Sequence, residues 1–243
     1  MYEYLKSIIK SFIPVSFLKK NEAFIRTVVA LFYRGSRYTC NLCDFSMREF
    51  ISLKNGDQIC PKCGSLPRTR RLWDNIQNKL VGKSILHFSP SLSLKKCIEA
   101  SRPTTYITTD FSDEFLAEKN YNIENIPESD ESFDLILCFH ILEHIKNDVQ
   151  AMSELFRILK PACLCYIQTP FKQGKIFEDA RITSRKDRLN NFGQEDHLRV
   201  YSVDGLQKRL EQVGFTVTVM TFKEVGKNTA GFKEEEHILL CSK

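Results

Sequence analysis

Hydrophobic and polar positions set out the chain's elements most clearly between Ser132 and Pro170. Leu135-Ile136-Leu137-Cys138 is a continuous apolar run after the polar loop that ends at Ser132-Phe133-Asp134, which predicts a strand buried on both faces. His140 to His144 is a polar, His/Glu-bearing turn. From Val149 the apolar residues Val149, Met152, Leu155, Phe156 and Leu159 recur at helical spacing, predicting an amphipathic helix that packs back on a sheet. Lys160-Pro161 ends it, because proline disfavours helical geometry in the residue before it. Leu164 to Thr169 is a second buried strand. Strand, helix and strand with short connections form a right-handed crossover of a parallel sheet.

The same pattern continues on either side. Ser84 to Phe88 reads as the first strand of this domain, Leu94 to Ala100 as a helix, and Thr105 to Thr109 as a short β-branched strand ending at Asp110. After Pro170 the regular pattern gives way to a long connection through Tyr201, a length that is usually functional in a compact domain. A helix over 204–213 follows, capped by Gly214, then a strand from Phe215 to Met220. His237 to Cys241 is a final strand, expected antiparallel to its neighbour. The fold class is α/β, a doubly wound, Rossmann-like sheet from residue 82 to the end. Ahead of it lie a helical arm (1–37), a small cysteine-bearing module (38–66) and a linker helix (67–81), the helix proper read over Leu72 to Leu80.

Composition changes that picture in two places. The chain carries a net charge of +5 over 243 residues, and residues 1–38 alone hold seven basic against two acidic side chains, which equals the whole of that excess. Interleaved with Leu5, Ile8, Ile9, Phe12, Ile13, Phe17 and Leu18, these charges make a basic amphipathic arm. Its apolar face can pack on its own domain. Alternatively residues 1–20 give peripheral contact with an anionic membrane, or the arm touches a phosphate backbone. No stretch is long and apolar enough for a membrane span; Phe24 to Tyr33 is short and interrupted by Arg26. A signal-peptide cleavage site is not expected either.

The second place is the nine cysteines. Cys40-x-x-Cys43 is followed after sixteen residues by Cys60-x-x-Cys63, the spacing of a zinc ribbon. Four thiolates close the coordination sphere, so the metal would be structural, and its binding would supply the folding energy of a module too small for a core. An odd cysteine count with two such pairs points to a reducing, cytoplasmic setting, membrane-associated if the arm binds lipid. Asn55-Gly56 between the pairs predicts a hairpin with a strand over Arg48 to Leu53. Arg68, Arg70 and Arg71 follow directly; they read as a solvated helix start, with nucleic-acid binding as the sharper alternative.

A family resemblance rests on these same residues. IPESDESFDLILCFHILEHIKNDVQAMSELFRILKPACLCYIQTP resembles the central segment of class I S-adenosylmethionine-dependent methyltransferases of the type 11 kind. HFSPS after the first strand resembles the HFAPE-like loop of a branch that carries an N-terminal zinc ribbon, with Ser91 where that branch has an acid. FGQEDHLRVY at 192–201 resembles the same branch. The resemblance implies S-adenosylmethionine as cofactor, held by Phe88, Ser89 and Ser91 of a loop that lacks the usual glycines. It implies that Asn122 and Ile123 bracket the adenine and that His140 lines the pocket near the sulfonium. Asp110, about twenty residues past the first loop, is placed to accept ribose hydroxyls. His140-Ile141-Leu142-Glu143-His144 also fits the H-x-x-E-H pattern of zinc peptidases, but that pattern needs both imidazoles on one helical face, and the residues before it read as strand.

An oxygen acceptor would need a base, and His197 and His140 are the imidazoles placed for it, with Asp196 as the orienting partner of His197. The alternative for 192–201 is a structural clasp in which Asp196, His197 and Arg199 satisfy one another. The resemblance implies a glycan or small-metabolite acceptor. An RNA or protein methyltransferase guided by the ribbon is a second reading, and a non-catalytic binding protein that retains the fold is a third.

Overall fold

The computed structural model describes residues 21–112 and 115–243. The proposed membrane contact through residues 1–20 lies outside the described residues. No described helix is long and apolar enough to cross a membrane. In chain order the elements are α1 (Glu22–Leu31), β1 (Arg34–Thr39), β2 (Ser46–Met47), β3 (Ile51–Ser52), β4 (Gln58–Ile59), α2 (Pro67–Ile76), β5 (Ser84–Phe88), α3 (Leu92–Ala100), β6 (Thr105–Thr109) and β7 (Phe133–Phe139). There follow a 3-10 turn (Leu142–His144), α4 (Asp148–Ile158), β8 (Leu159–Gln168), β9 (Phe177–Glu178), α5 (Arg185–Phe192), β10 (Arg199–Val200), α6 (Val203–Gln212), β11 (Thr216–Lys223) and β12 (Glu235–Ser242).

Two compact units result. One takes the chain up to Asn78 together with Ser91–Ala100 and Lys223–Glu236; the other takes Lys79–Pro90, Ser101–Phe222 and His237–Lys243. The first unit therefore recruits α3 and a late loop from the stretch read in the sequence as one sheet domain. In the second, six strands form a sheet in the order β11-β12-β8-β7-β5-β6. β6, β5, β7 and β8 run parallel, and β12 is antiparallel to β8, as expected for the last strand. Because β6 lies on one side of β5 and β7 on the other, the chain reverses its winding direction there. The crevice beyond the carboxyl ends of β5 and β7 is the topological switch point, where open α/β sheets bind ligands.

Leu135, Ile136, Leu137 and Cys138 of β7 are all buried, and Ala151, Met152, Leu155 and Ile158 of α4 close the core over them. Asn147 caps α4 by accepting from the backbone N–H of Gln150 at 3.2 Å, and Ser202 caps α6 the same way through Gly205 at 3.1 Å. Gly214, at φ +111°, ends α6 in a conformation that a β-carbon would strain.

Five expectations are corrected. Helix α2 starts at Pro67, at the head of the predicted 67–81 linker helix and ahead of the Leu72–Leu80 stretch, since proline suits the first helical position, but it ends at Ile76; Arg68, Arg70 and Arg71 are thus inside it. Arg70 and Arg71 are buried, not solvated. Strand β8 begins at Leu159, before Pro161, and absorbs the proline with a bulge that shifts its register on β7 between Phe133 and Leu135; Ala162 in that bulge has φ +57°. The Asn55-Gly56 turn does join two strands, but through the five residues from Leu53 to Asp57 and with β3 reduced to two residues. The connection from Pro170 to Tyr201 is also more ordered than expected: it holds α5 and an antiparallel pair of β9 with β10.

Candidate functional site

The ends of three parallel strands bring the sequence-predicted residues of the second unit to one edge. Ser89 follows β5, Asp110 follows β6 and His140 follows β7. Ser89 and His140 both have left-handed backbones, at φ +46° and +57°. A non-glycine residue there costs about 1–3 kcal/mol, a strain typical of functional turns. Ser89 thus adopts a backbone geometry that glycine takes without strain. Its backbone N–H bonds the Thr109 carbonyl at 2.8 Å, and its hydroxyl donates to Asp110 Oδ1 at 2.6 Å.

Asp110 is 4% exposed. Its Oδ2 accepts from the Ser112 hydroxyl at 3.1 Å and the Phe115 N–H at 3.2 Å. Two hydroxyl donors already converge on this carboxylate, the donor type that a ribose diol would offer. Phe88 and Ile123 are both buried in the core, so their side chains can act as wall only. Asn122 is exposed and its Oδ1 accepts from the Glu124 N–H at 2.9 Å, a hydrogen bond typical of turns. Ser91 belongs to the other compact unit; its hydroxyl oxygen is buried without a hydrogen-bond partner.

Beyond β7 the H-x-x-E-H residues are not on one helical face, which removes the peptidase geometry: His140 precedes the 3-10 turn that carries Glu143 and His144. His140 Nδ1 lies 3.3 Å from Glu143 Oε1, and Glu143 is 1% exposed. His197 comes to the same place from the long connection, its neighbour Leu198 donating its N–H to the Glu143 carbonyl at 2.8 Å. The His144 and His197 rings meet edge to face, centroids 4.7 Å apart. Burial of His197 lowers its pKa, which favours the neutral ring. The expected pairing with Asp196 is not made. Asp196 Oδ2 is instead 3.0 Å from His144 Nδ1, at the end of the bend that precedes His197.

Arg199 does clasp, with partners other than those expected. It is buried and donates to Glu178 Oε2 at 2.9 Å and to the carbonyls of Leu142 and Lys146, each at 3.1 Å, and of Ile145. Tyr201 donates to Asp148, which Arg209 also binds at 2.6 Å. The segment 196–201 is thereby locked onto the turn after β7. Sequence reading missed Asp148 and Glu178 in this network. Only their acidic character near a helix start and a strand could have signalled them.

In the first unit the four cysteines converge. Cys40 Sγ is 3.6 Å from Cys63 Sγ and Cys43 Sγ is 3.8 Å from Cys60 Sγ. Sulfurs around a tetrahedral zinc, at about 2.3 Å from it, stand ~3.8 Å apart, so the set fits the ion. The two halves repeat one fold. The N–H of Asp44 bonds the Cys40 carbonyl at 2.8 Å, and that of Gly64 the Cys60 carbonyl at 2.9 Å; both residues are left-handed. No cysteine forms a disulfide. Behind them Arg70 donates to the carbonyls of Ser65, Gln58, Ala230 and Gly231, and stacks on Phe50 with 4.3 Å to the ring centroid. Arg71 pairs with Glu224 and Glu236. Neither guanidinium is available to a phosphate backbone.

A sheet with this order, its switch point beside the first strand and an acid ending the second, defines the Rossmann-like class I methyltransferase fold. Residues 77–219 match the sequence profile of the methyltransferase-domain family, more than half of the chain, and the chain belongs to that family. It is 32% identical over 99 residues to a protein of Mycolicibacterium smegmatis named "Probable S-adenosylmethionine-dependent methyltransferase", a match covering 40% of this chain and 34% of that one. The chain spans about a third of the length of the curated relatives it matches. Two solved S-adenosylmethionine-dependent methyltransferases share the fold. One, from Archaeoglobus fulgidus, has a TM-score of 0.52 at 16% identity, covering 72% of this chain and 93% of that one. The other, from Mesorhizobium loti, has a TM-score of 0.51 at 13% identity, covering 73% and 96%.

Proposed function

We propose that this protein transfers the methyl group of S-adenosylmethionine to an oxygen-bearing glycan or small metabolite, and that it belongs to the branch carrying an N-terminal zinc ribbon. The observation that carries the first part is the buried Asp110 carboxylate at the end of β6, facing the strained Ser89 turn within a methyltransferase-family sheet. Asp110 would hold the ribose diol as an acceptor-only group. The Ser89 turn would lie against the cofactor's amino-acid end, and His140 would border the methyl group. When bound, the cofactor supplies an electrophilic methyl on a sulfonium. The chain's task is to orient the acceptor in line with it, which can lower the barrier by several kcal/mol.

The small acceptor follows from the family resemblance, and Arg199 and Tyr201, which fix the 196–201 segment on the turn after β7, would give its site a rigid border. The burial of Arg70 and Arg71 counts against an RNA substrate guided by those arginines. The ribbon assignment is supported by the sulfur spacing, which suits structural zinc held by Cys40, Cys43, Cys60 and Cys63. Calorimetry with S-adenosylmethionine, followed by methyl transfer from labelled cofactor to a panel of sugars and small hydroxylated metabolites, tests the reading. Micromolar binding with transfer to one acceptor class supports it. Absence of cofactor binding leaves a binding protein that retains the fold.

A further inference from the structure

From Glu143, His144 and His197 we infer a second metal site, distinct from the four cysteines, that takes one divalent transition-metal ion at the carboxyl edge of the sheet. One ligand atom from each of the three residues lies within 4.8 Å of the others. The two imidazoles are prepared in the same way. His197 Nδ1 is 3.2 Å from the Phe192 carbonyl, which can only accept, so this nitrogen carries the proton and Nε2 of the neutral ring holds a lone pair. That Nε2 is buried and has no hydrogen-bond partner, on a residue only 3% exposed.

His144 Nδ1 faces the Asp196 carboxylate at 3.0 Å, again an acceptor, so the tautomer with the proton on Nδ1 would present Nε2 as the ligand atom. An imidazole that donates one N–H to a carboxylate or carbonyl and turns the other nitrogen inward is the usual outer support of a metal-bound histidine. Between them sits the buried Glu143 carboxylate, which His140 approaches at 3.3 Å.

Two imidazoles and one carboxylate select a borderline divalent ion such as iron, cobalt or zinc, and more weakly manganese, over calcium, and three protein ligands leave coordination positions open. His144 is about a third exposed, so those positions are within reach of solvent. Resting on the methyl-transfer reading, the ligand class for the open positions is an oxygen of the acceptor, which the ion would fix beside His140. The site itself does not depend on that reading.

The test uses the whole chain loaded with one equivalent of zinc, which the four thiolates take first, and manganese chloride, since a thiolate centre discriminates against manganese. Loss of the free-ion paramagnetic signal should report about one bound manganese per chain, and pulsed spectroscopy should show nitrogen couplings from two imidazoles. His144→Ala, at the more exposed ligand, should weaken binding at least tenfold and remove one coupling. Asp196→Asn should weaken it by roughly tenfold while keeping both couplings. Glu143→Gln and His197→Ala are compared only where their melting temperatures show a folded chain. Wild-type protein that binds no manganese at millimolar concentration, or binding without nitrogen coupling, overturns the site. Metal binding in a protein that fails to bind S-adenosylmethionine would leave the site standing and overturn the methyl-transfer reading instead.

Discussion

Arg70 donates to the Gly231 carbonyl at 2.6 Å, tying helix α2 to a loop 161 residues further along the chain. The same guanidinium reaches the carbonyls of Ser65, Gln58 and Ala230, so four acceptors depend on one side chain. Arg70→Ala should therefore cost about 3 kcal/mol or more of the first unit's stability. Arg70→Lys should rescue little, because an ammonium cannot reproduce the planar fork. Hydrogen exchange at 223–236 checks this. Unchanged protection in Arg70→Ala would show that the fork contributes nothing.

Purified protein is expected to carry about one zinc bound by the four cysteines, apart from any metal at the histidine cluster. Cys60→Ser should release it, since a hydroxyl is a poor ligand beside three thiolates. Because α3 and residues 223–236 belong to the same compact unit as the ribbon, protease cleavage should then appear at 223–236 as well as between Cys40 and Cys63. Cleavage confined to 40–63 would mean that the late loop is held independently of the metal.

Asp110→Ala should weaken binding of S-adenosylhomocysteine by roughly 1–3 kcal/mol, as one charged acceptor of two hydroxyls is lost. Titration calorimetry measures it directly. An unchanged affinity would take Asp110 out of the cofactor site and leave it as a partner of Ser89 and Ser112 alone.

What the sequence made legible follows from how local each signal is. The runs at Ser84–Phe88 and Leu135–Cys138 are buried on both faces, so an unbroken apolar stretch announces them, and the sheet could be drawn from them. The cysteine pairs announce themselves by spacing. Arg70 and Arg71 misled because a burial that depends on carbonyls and acids 150 to 165 residues away leaves no local trace. His197 shows the same limit. FGQEDHLRVY marked the segment, yet only the tertiary structure pairs Asp196 with His144 and Arg199 with Glu178.

The acid side of the stability profile should depend on Glu178. Its Oε1 accepts from Arg209 Nη2 at 2.9 Å and its Oε2 from Arg199 Nε at 2.9 Å. The hydrogen bond from Arg209 holds the carboxyl below the ordinary glutamate range; burial opposes this, and Arg199 adds to the lowering. With the folded pKa below the unfolded value of about 4.3, the ionised form stabilises the fold fully above that pH. The contribution is lost as the pH falls from there through the folded pKa. Glu178→Gln should therefore melt below wild type at pH 7, and the two melting curves should converge as the pH is lowered below about 4.3. The variant should also release β9 from β10, visible as faster amide exchange at Phe177 and Val200, which face each other in that pair. A constant difference in melting temperature from pH 7 to 3 would show that Glu178 contributes packing alone and that Arg199 holds the clasp through its carbonyl bonds.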